Sequence, residues 1–169
     1  MKPDFVVDIS EVFEEKLEGT AISNAEEAAL LIRHLTGLLE STQANGATGF
    51  PSIGIISPYK QQVHLLNDLL EHAPELKANE KSISVNTIDS FQGQERDIIY
   101  ISMTRSNSDG VIGFLSDVRR MNVAMTRARK KLVVIGDSST LSRDPFYAGF
   151  IEYAEGINAY HSAWEYMDL

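Results

Sequence analysis

Residues 119–137 read RRMNVAMTRARKKLVVIGD, a basic segment that runs directly into an apolar one. The first thirteen of these positions hold six basic residues and no acidic one. We expect a helix over about 117–129, followed at once by a strand over 131–137. A strand that is apolar throughout, with no polar alternation, is typical of a parallel sheet covered on both faces.

Elements of the same two kinds alternate on both sides of this stretch. At the start of one predicted helix, Ser23 and Glu26 form a capping-box pattern. The tail is expected to add one or two helices. The predicted strands lie at 4–9, 52–57, 82–88 and 97–103, and the predicted helices at 23–42 and 58 to about 71. The sequence therefore predicts an α/β fold, a doubly wound and mostly parallel sheet with helices on both faces.

Composition and charge exclude several classes of protein. The chain has 169 residues and no cysteine, which excludes a disulfide framework and thiolate metal sites. It has no apolar run long enough for a membrane span and no signal-peptide pattern, so we expect no membrane contact and a cytoplasmic location. The formal net charge of −9 argues against a general nucleic-acid coat. Since residues 119–131 contribute +6, the rest carries −15, and such a local basic patch fits a specific anion contact.

Several familiar catalytic patterns are absent from the sequence. There is no G-x-x-x-x-G-K-[ST] loop, no G-x-G-x-x-G after a strand and no G-x-S-x-G elbow. The four histidines are scattered without ligand spacing, and we predict no metal site on this chain. As an independent enzyme the chain looks incomplete.

Three blocks of sequence carry a resemblance to a known family. They are IGIISPYKQQV (53–63), VNTIDSFQGQERDIIYISMTRSN (85–107) and GFLSDVRRMNVAMTRARKKLVVIGD (113–137). The last two resemble motif V (about 83–105) and motif VI (about 117–137) of superfamily 1 helicases. The match is to the 5′-to-3′ subgroup that includes the nonsense-mediated-decay RNA helicase and its bacterial relatives. The resemblance covers residues 50 to about 140.

This resemblance implies a single C-terminal RecA-like domain over 1–169, excised from a longer ATP-dependent DNA or RNA helicase. ATP and Mg²⁺ are the implied cofactors, with Mg²⁺ held mainly by the first RecA-like domain, which also carries the phosphate-binding loop. The implied partners are that N-terminal domain and single-stranded DNA or RNA. We expect the isolated chain to be inactive.

The resemblance also implies a set of nucleotide-binding residues. Arg127 matches the arginine finger that reaches the γ-phosphate of ATP, where its planar fork stabilises charge in the transition state. Gly93 and Glu95 match the other half of the nucleotide site, and Gln92 a link to the nucleic acid. Arg120, seven residues before Arg127, is predicted to face the same side of the helix. From the residues alone, a solvated basic face and a surface acid at Glu95 remain open.

Other arginines of the cluster suit a structural role. Arg119, Arg120 and Arg129 are predicted to pair with acidic residues such as Asp89 or Asp97 and hold the motif in place. From the residues alone, we favour this structural role over direct contact with a ligand.

Four residues are predicted to contact the nucleic acid. Ser57 and Thr87 follow strands and can donate hydroxyl hydrogen bonds to phosphate. Tyr59 can stack or pack beside the strand, and Arg105 can neutralise a phosphate. Helix capping by Ser57, core packing by Tyr59 and a loop salt bridge by Arg105 are open alternatives.

Two aromatic residues lie within the matching blocks. Phe91 and Phe114 are predicted to be core residues and not base-stacking ones.

The main rival function is a noncatalytic α/β module that binds an anion or a partner through the basic helix. A nuclease-like domain built on Asp89, Glu95 and Asp97 is weaker, because their spacing does not suit two metal ions.

Overall fold

The chain folds into strands and helices in a computed structural model, which describes residues 3–10, 15–18, 21–44, 46, 49–91 and 95–166. The strands are β1 (Pro3–Asp8), β2 (Lys16–Glu18), β3 (Ala21–Ser23), β4 (Ile53–Ile56), β5 (Ile83–Asn86), β6 (Arg96–Ser102), β7 (Ala128–Gly136) and β8 (Tyr160–Ser162). The helices are α1 (Ala25–Ala44), α2 (Lys60–Glu71), α3 (Pro74–Lys77), α4 (Val118–Met125), α5 (Ser138–Leu141) and α6 (Pro145–Gly156).

Six of the described strands form one sheet in the order β5-β4-β6-β7-β1-β8. Every neighbouring pair in it is parallel, while β2 and β3 form a separate antiparallel ribbon. The apolar runs read in the sequence thus become parallel strands, and the predicted α/β fold class is confirmed.

Helices cover both faces of this sheet. Along β6, Ile98 and Tyr100 pack in a core with α1, α2 and α3, whereas Ile99 and Ile101 pack in a second core with α4, α5 and α6. This division follows from the two-residue period of a strand, which sends alternate side chains to opposite faces. None of the described helices is long and apolar enough to cross a membrane.

Helix α1 begins one residue later than the capping-box pattern predicts. Ser23 ends β3, and Asn24 is the capping residue, since its Oδ1 accepts the backbone N–H of Glu27 at 3.1 Å. Glu26 stays exposed, while the Glu27 carboxylate turns inward and binds Thr104. The expected Ser23–Glu26 pair was therefore wrong.

Helix α4 is shorter than the predicted span of 117–129. It starts after Asp117, whose carboxylate accepts the backbone N–H of Arg120 at 3.3 Å, and it ends at Met125. The chain then joins the sheet, because the backbone N–H of Arg96 on β6 donates to the carbonyl of Arg127 at 3.0 Å. The expectation that Arg120 and Arg127 share one helix was wrong.

The tail contains α6, as expected, but also an element that the sequence reading missed. Residues 160–162, in a tail for which only helices were expected, form the edge strand β8. They pair in parallel with β1, and a short 3₁₀ turn at Ala163–Tyr166 follows.

Candidate nucleotide and nucleic-acid sites

A cleft of about 280 Å³ lies against α4, and we call it the arginine cleft. One wall is apolar, formed by Ile56, Ile88, Phe91, Val123 and Ala124. The other residues are charged, namely Asp89, Asp117, Arg119, Arg120 and Arg127. The fold thus collects three of the arginines in the basic segment around one concave surface, even though α4 ends before Arg127.

Arg127 occupies the turn between α4 and β7. Its backbone is fixed from both sides, since its N–H donates to the carbonyl of Ala124 at 3.2 Å and its own carbonyl accepts from Arg96. Its side-chain Nε is buried and has no hydrogen-bond partner among the described residues. A buried polar atom without a partner is rare in a native protein. The fold therefore leaves the hydrogen-bonding capacity of this Nε unused among the described residues.

Two of the predicted arginine pairs form. Arg120 Nε lies 3.5 Å from Asp89 Oδ1 and 3.6 Å from Asp117 Oδ2, and all three side chains are about half exposed. Arg129 Nε lies 3.4 Å from Asp97 Oδ1, near the first residues of β6 and β7. Exposed pairs of this kind contribute little to stability, so they orient the arginines more than they stabilise the fold.

The remaining predicted nucleotide residues precede β6 in the sequence. Glu95 is exposed immediately before that strand. Gln92 and Gly93 lie outside the described residues. The nucleotide-binding roles of these three residues stay predictions.

A second cleft of about 500 Å³ adjoins the first, and we call it the aromatic cleft. It lies at the carboxyl ends of β4 and β5, where ligands bind in open α/β sheets. Its lining includes Tyr59, Lys60, His64, Thr87 and Phe114, together with Ile88, Asp89 and Arg120, which it shares with the arginine cleft. A ligand that moves one of these three shared side chains in one cleft therefore also changes the lining of the other cleft.

Tyr59 is a buried residue of the aromatic cleft, and Arg105 is buried against it. The Tyr59 hydroxyl donates to the carbonyl of Ile112 at 3.2 Å and accepts from Arg105 Nη1 at 3.3 Å. Arg105 Nε donates to Glu15 Oε1 at 2.9 Å. Two of the alternatives that the sequence left open, packing of Tyr59 and a loop salt bridge of Arg105, are therefore present in the structure. A direct contact of either side chain with nucleic acid stays a prediction.

The two hydroxyl residues are placed differently. Ser57 is fully buried, and its hydroxyl bonds to that of Thr104 at 3.2 Å and accepts the backbone N–H of Tyr59 at 3.3 Å. Thr87 is only partly buried and lines the aromatic cleft, with its hydroxyl donating to Ser90 Oγ at 3.3 Å. Of the two, Thr87 is the one that a ligand can reach in this conformation.

Phe114 is the residue that the sequence reading misplaced. Phe91 is buried as expected, but Phe114 is 66% exposed at the mouth of the aromatic cleft, so its assignment to the core was wrong. The signal was present in GFLS, since successive residues of a short turn cannot all face one core. In this turn Leu115 takes the buried position.

Comparison with known proteins gives a consistent set of matches. A family model described as an AAA domain matches residues 1–139. The chain is 39% identical over 132 residues to the DNA replication ATP-dependent helicase/nuclease DNA2 of Mus musculus, covering 78% of this chain and 12% of that protein. It is 39% identical over 141 residues to Regulator of nonsense transcripts 1 of Dictyostelium discoideum, covering 83% and 10%. It is 40% identical over 131 residues to Helicase sen1 of Schizosaccharomyces pombe, covering 78% and 8%. The matched region thus spans about a tenth of these relatives.

Proposed function

The chain belongs to the superfamily 1 helicases, whose AAA domain it carries, and we propose that it acts as the second motor domain of an ATP-dependent DNA or RNA helicase. In this proposal the domain works against a first RecA-like domain of the same protein. We call the protein that contains both domains the parent protein. The first domain contributes the phosphate-binding loop and most of the Mg²⁺ site. We retain the cytoplasmic location as a prediction.

The observation that carries the proposal is the buried, unpartnered Nε of Arg127 among the described residues. A phosphate group in the arginine cleft is the partner we propose for this guanidinium, because an anion offers both a hydrogen bond and a balancing charge. The apolar wall of the arginine cleft strengthens the attraction, since water screens charges less beside apolar side chains.

ATP, when bound, supplies the phosphoryl group whose transfer to water drives the motor. Arg127 stabilises the negative charge that develops on that group, and an arginine in this role typically accelerates hydrolysis by about 10³–10⁵-fold. Arg120, oriented by Asp89 and Asp117, keeps a second positive charge in the same cleft. Glu95, Gln92 and Gly93 complete the nucleotide site by resemblance.

The single strand is proposed to run over the aromatic cleft. Thr87 offers a hydroxyl to its backbone without adding charge, which suits a protein with a net charge of −9. Ser57, Tyr59 and Arg105 support this surface from beneath. Because Arg120 and Asp89 line both clefts, movement at the nucleotide reaches the strand through side chains the two sites share.

The test is ATP hydrolysis by the parent protein as a function of single-strand concentration. The proposal predicts a rate that rises and saturates with added single-stranded DNA or RNA, and negligible hydrolysis by this chain alone. Motor-like hydrolysis by the chain alone contradicts the division of the site between two domains.

The rival module that binds an anion without catalysis makes a different prediction. It needs only this chain, and the unpartnered Nε of Arg127 is compatible with it. Tight, saturable binding of inorganic pyrophosphate by the chain, with no strand-dependent hydrolysis by the parent protein, favours the rival.

A further inference from the structure

We propose that Phe114 is a stacking platform for a base of the single-stranded nucleic acid. This inference rests on the proposed function and extends it, since it assigns the base contact to a residue that lies outside the four predicted contacts. It is carried by the way in which the fold holds this ring in solvent.

The exposure of Phe114 is built into a short 3₁₀ turn at Gly113–Ser116. Within this turn Leu115 is fully buried in the second core, whereas Phe114 is 66% exposed. One apolar residue holds the turn in place and its neighbour is turned outward. A large aromatic ring in water is costly unless another group covers it.

Two tyrosines fix the turn from opposite ends. The Tyr59 hydroxyl donates to the carbonyl of Ile112 at 3.2 Å, and the Tyr147 hydroxyl donates to the carbonyl of Leu115. The ring of Tyr59 also lies beneath Phe114, with centroids 5.4 Å apart and the planes tilted by 35°. The turn is therefore held at two points and the Phe114 ring lies against Tyr59, which reduces the conformational entropy lost when a ligand binds.

Gly113 allows this close approach. Its φ is +52°, a conformation that side chains disfavour. A Cβ at this position would overlap Nη1 of Arg105 and lie 2.9 Å from the Tyr59 hydroxyl. The turn can sit directly on Tyr59 and Arg105 only because residue 113 has no side chain.

The surroundings of the ring suit a nucleic acid better than another apolar surface. The aromatic cleft beside Phe114 also presents the cation Lys60 and the hydroxyl of Thr87, together with Arg120, which is paired with Asp89 in the same cleft. Lysine and arginine attract phosphates, and an aromatic face stacks on any base. A cleft of about 500 Å³ falls within the size range of small-ligand sites. A nucleotide has the two groups that this surface can bind, a phosphate and a base.

The experiment measures the affinity of the parent protein for a labelled single strand. Phe114→Ala is expected to weaken binding by roughly fivefold to 150-fold, the range for loss of one stacked base. Phe114→Trp is expected to bind at least as tightly as the wild type. Phe114→Leu, which keeps an apolar side chain but has no ring, is expected to behave like the alanine variant.

A strand of abasic sites separates stacking from packing. The wild type should bind it more weakly than the normal strand, and Phe114→Ala should then cause no further loss. Trp164→Ala is the matched control, because that ring is 62% exposed and lies outside both clefts. It should leave strand affinity unchanged.

Two results overturn the inference. If Phe114→Ala binds the normal strand like the wild type, the base contact is elsewhere and the proposed function still stands. If this variant, with wild-type binding, loses hydrolysis at saturating strand, the ring contacts the first domain and not a base. If it weakens binding of the normal and abasic strands equally, its role is packing. A parent protein that binds no single strand contradicts the proposed function itself.

Discussion

Glu27 Oε2 accepts the backbone N–H of Thr104 at 2.9 Å, although 77 positions separate the two residues. Thr104 has a φ of +72°, a strained conformation for a β-branched residue. The same oxygen also accepts the hydroxyl of Ser102, and Gln62 Nε2 donates to that hydroxyl at 3.0 Å. This buried network holds the end of β6 in the shape that places Arg105 beneath the aromatic cleft.

The Glu27 carboxyl makes stability depend on pH. Burial raises its pKa from 4.5 to about 8, and nearby Asp137 adds to the rise, while the hydrogen bonds from Ser102 and Thr104 act in the opposite direction. Between these two pKa values the folded state keeps a proton that the unfolded state has lost. Stability must therefore fall as pH rises through this window, by up to about 1.4 kcal/mol per pH unit.

Glu27→Gln is expected to abolish this fall, because the amide stays neutral at every pH. Urea unfolding at several pH values between 4.5 and about 8 measures the effect. Glu26→Gln is the matched control, since Glu26 is exposed on the same helix and should keep the wild-type slope. Equal slopes for Glu27→Gln and the wild type would show that Glu27 is not protonated in the folded state.

Removing Arg105 is expected to destabilise the fold and not simply to weaken strand binding. Arg105 and Glu15 are 9% and 11% exposed, and Glu15 Oε1 also accepts the backbone N–H of Ser106 at 2.9 Å. Arg105→Ala leaves that carboxylate without its cation, a change that costs about 3–5 kcal/mol in buried pairs.

A double-mutant cycle with Glu15→Gln measures the coupling by urea unfolding. The double variant is expected to recover part of the lost stability, because neither charge is then left alone. If Arg105→Ala keeps wild-type stability and loses only strand affinity, Arg105 contacts the nucleic acid directly, as the resemblance predicts.

Gly54→Ala on β4 is expected to destabilise the fold by about 1–3 kcal/mol, the usual cost of overpacking. A Cβ at Gly54 would lie 2.5 Å from Phe91 Cζ and 2.8 Å from Ile99 Cδ1. Gly149→Ala on α6 is the control, since a Cβ there meets nothing within 4 Å and alanine favours the helix. Thermal unfolding should move in opposite directions for the two variants. A Gly54→Ala melting temperature at or above the wild-type value would contradict the packing described for β4.

The sequence predicted what depends on local pattern. Apolar runs such as 131–137 identify strands because parallel strands are buried on both faces. Tyr59 and Thr87, both predicted to contact the nucleic acid, follow β4 and β5 and line the same cleft.

The features that local pattern could not predict depend on partners distant in sequence. The end of α4 is set by a hydrogen bond from Arg96 on β6, and the exposure of Phe114 by Tyr59 and Tyr147 on other elements. Glu27 reads as one more acid on a helix until the fold brings Thr104 to it. Each of these outcomes depends on which side chains meet across the sheet, information that spacing along one segment does not contain.

The most direct test of the account is the turnover number of the parent protein with Arg127→Ala, at saturating ATP, Mg²⁺ and single strand. Nucleotide affinity is measured separately, so that binding and catalysis are distinguished. Arg129→Ala is the control, because that exposed arginine pairs with Asp97 and lies outside both clefts. We predict a loss of at least about 100-fold in kcat for Arg127→Ala, with nucleotide binding retained and Arg129→Ala close to the wild type. A wild-type kcat for Arg127→Ala would contradict the account and make the basic segment a structural or docking surface.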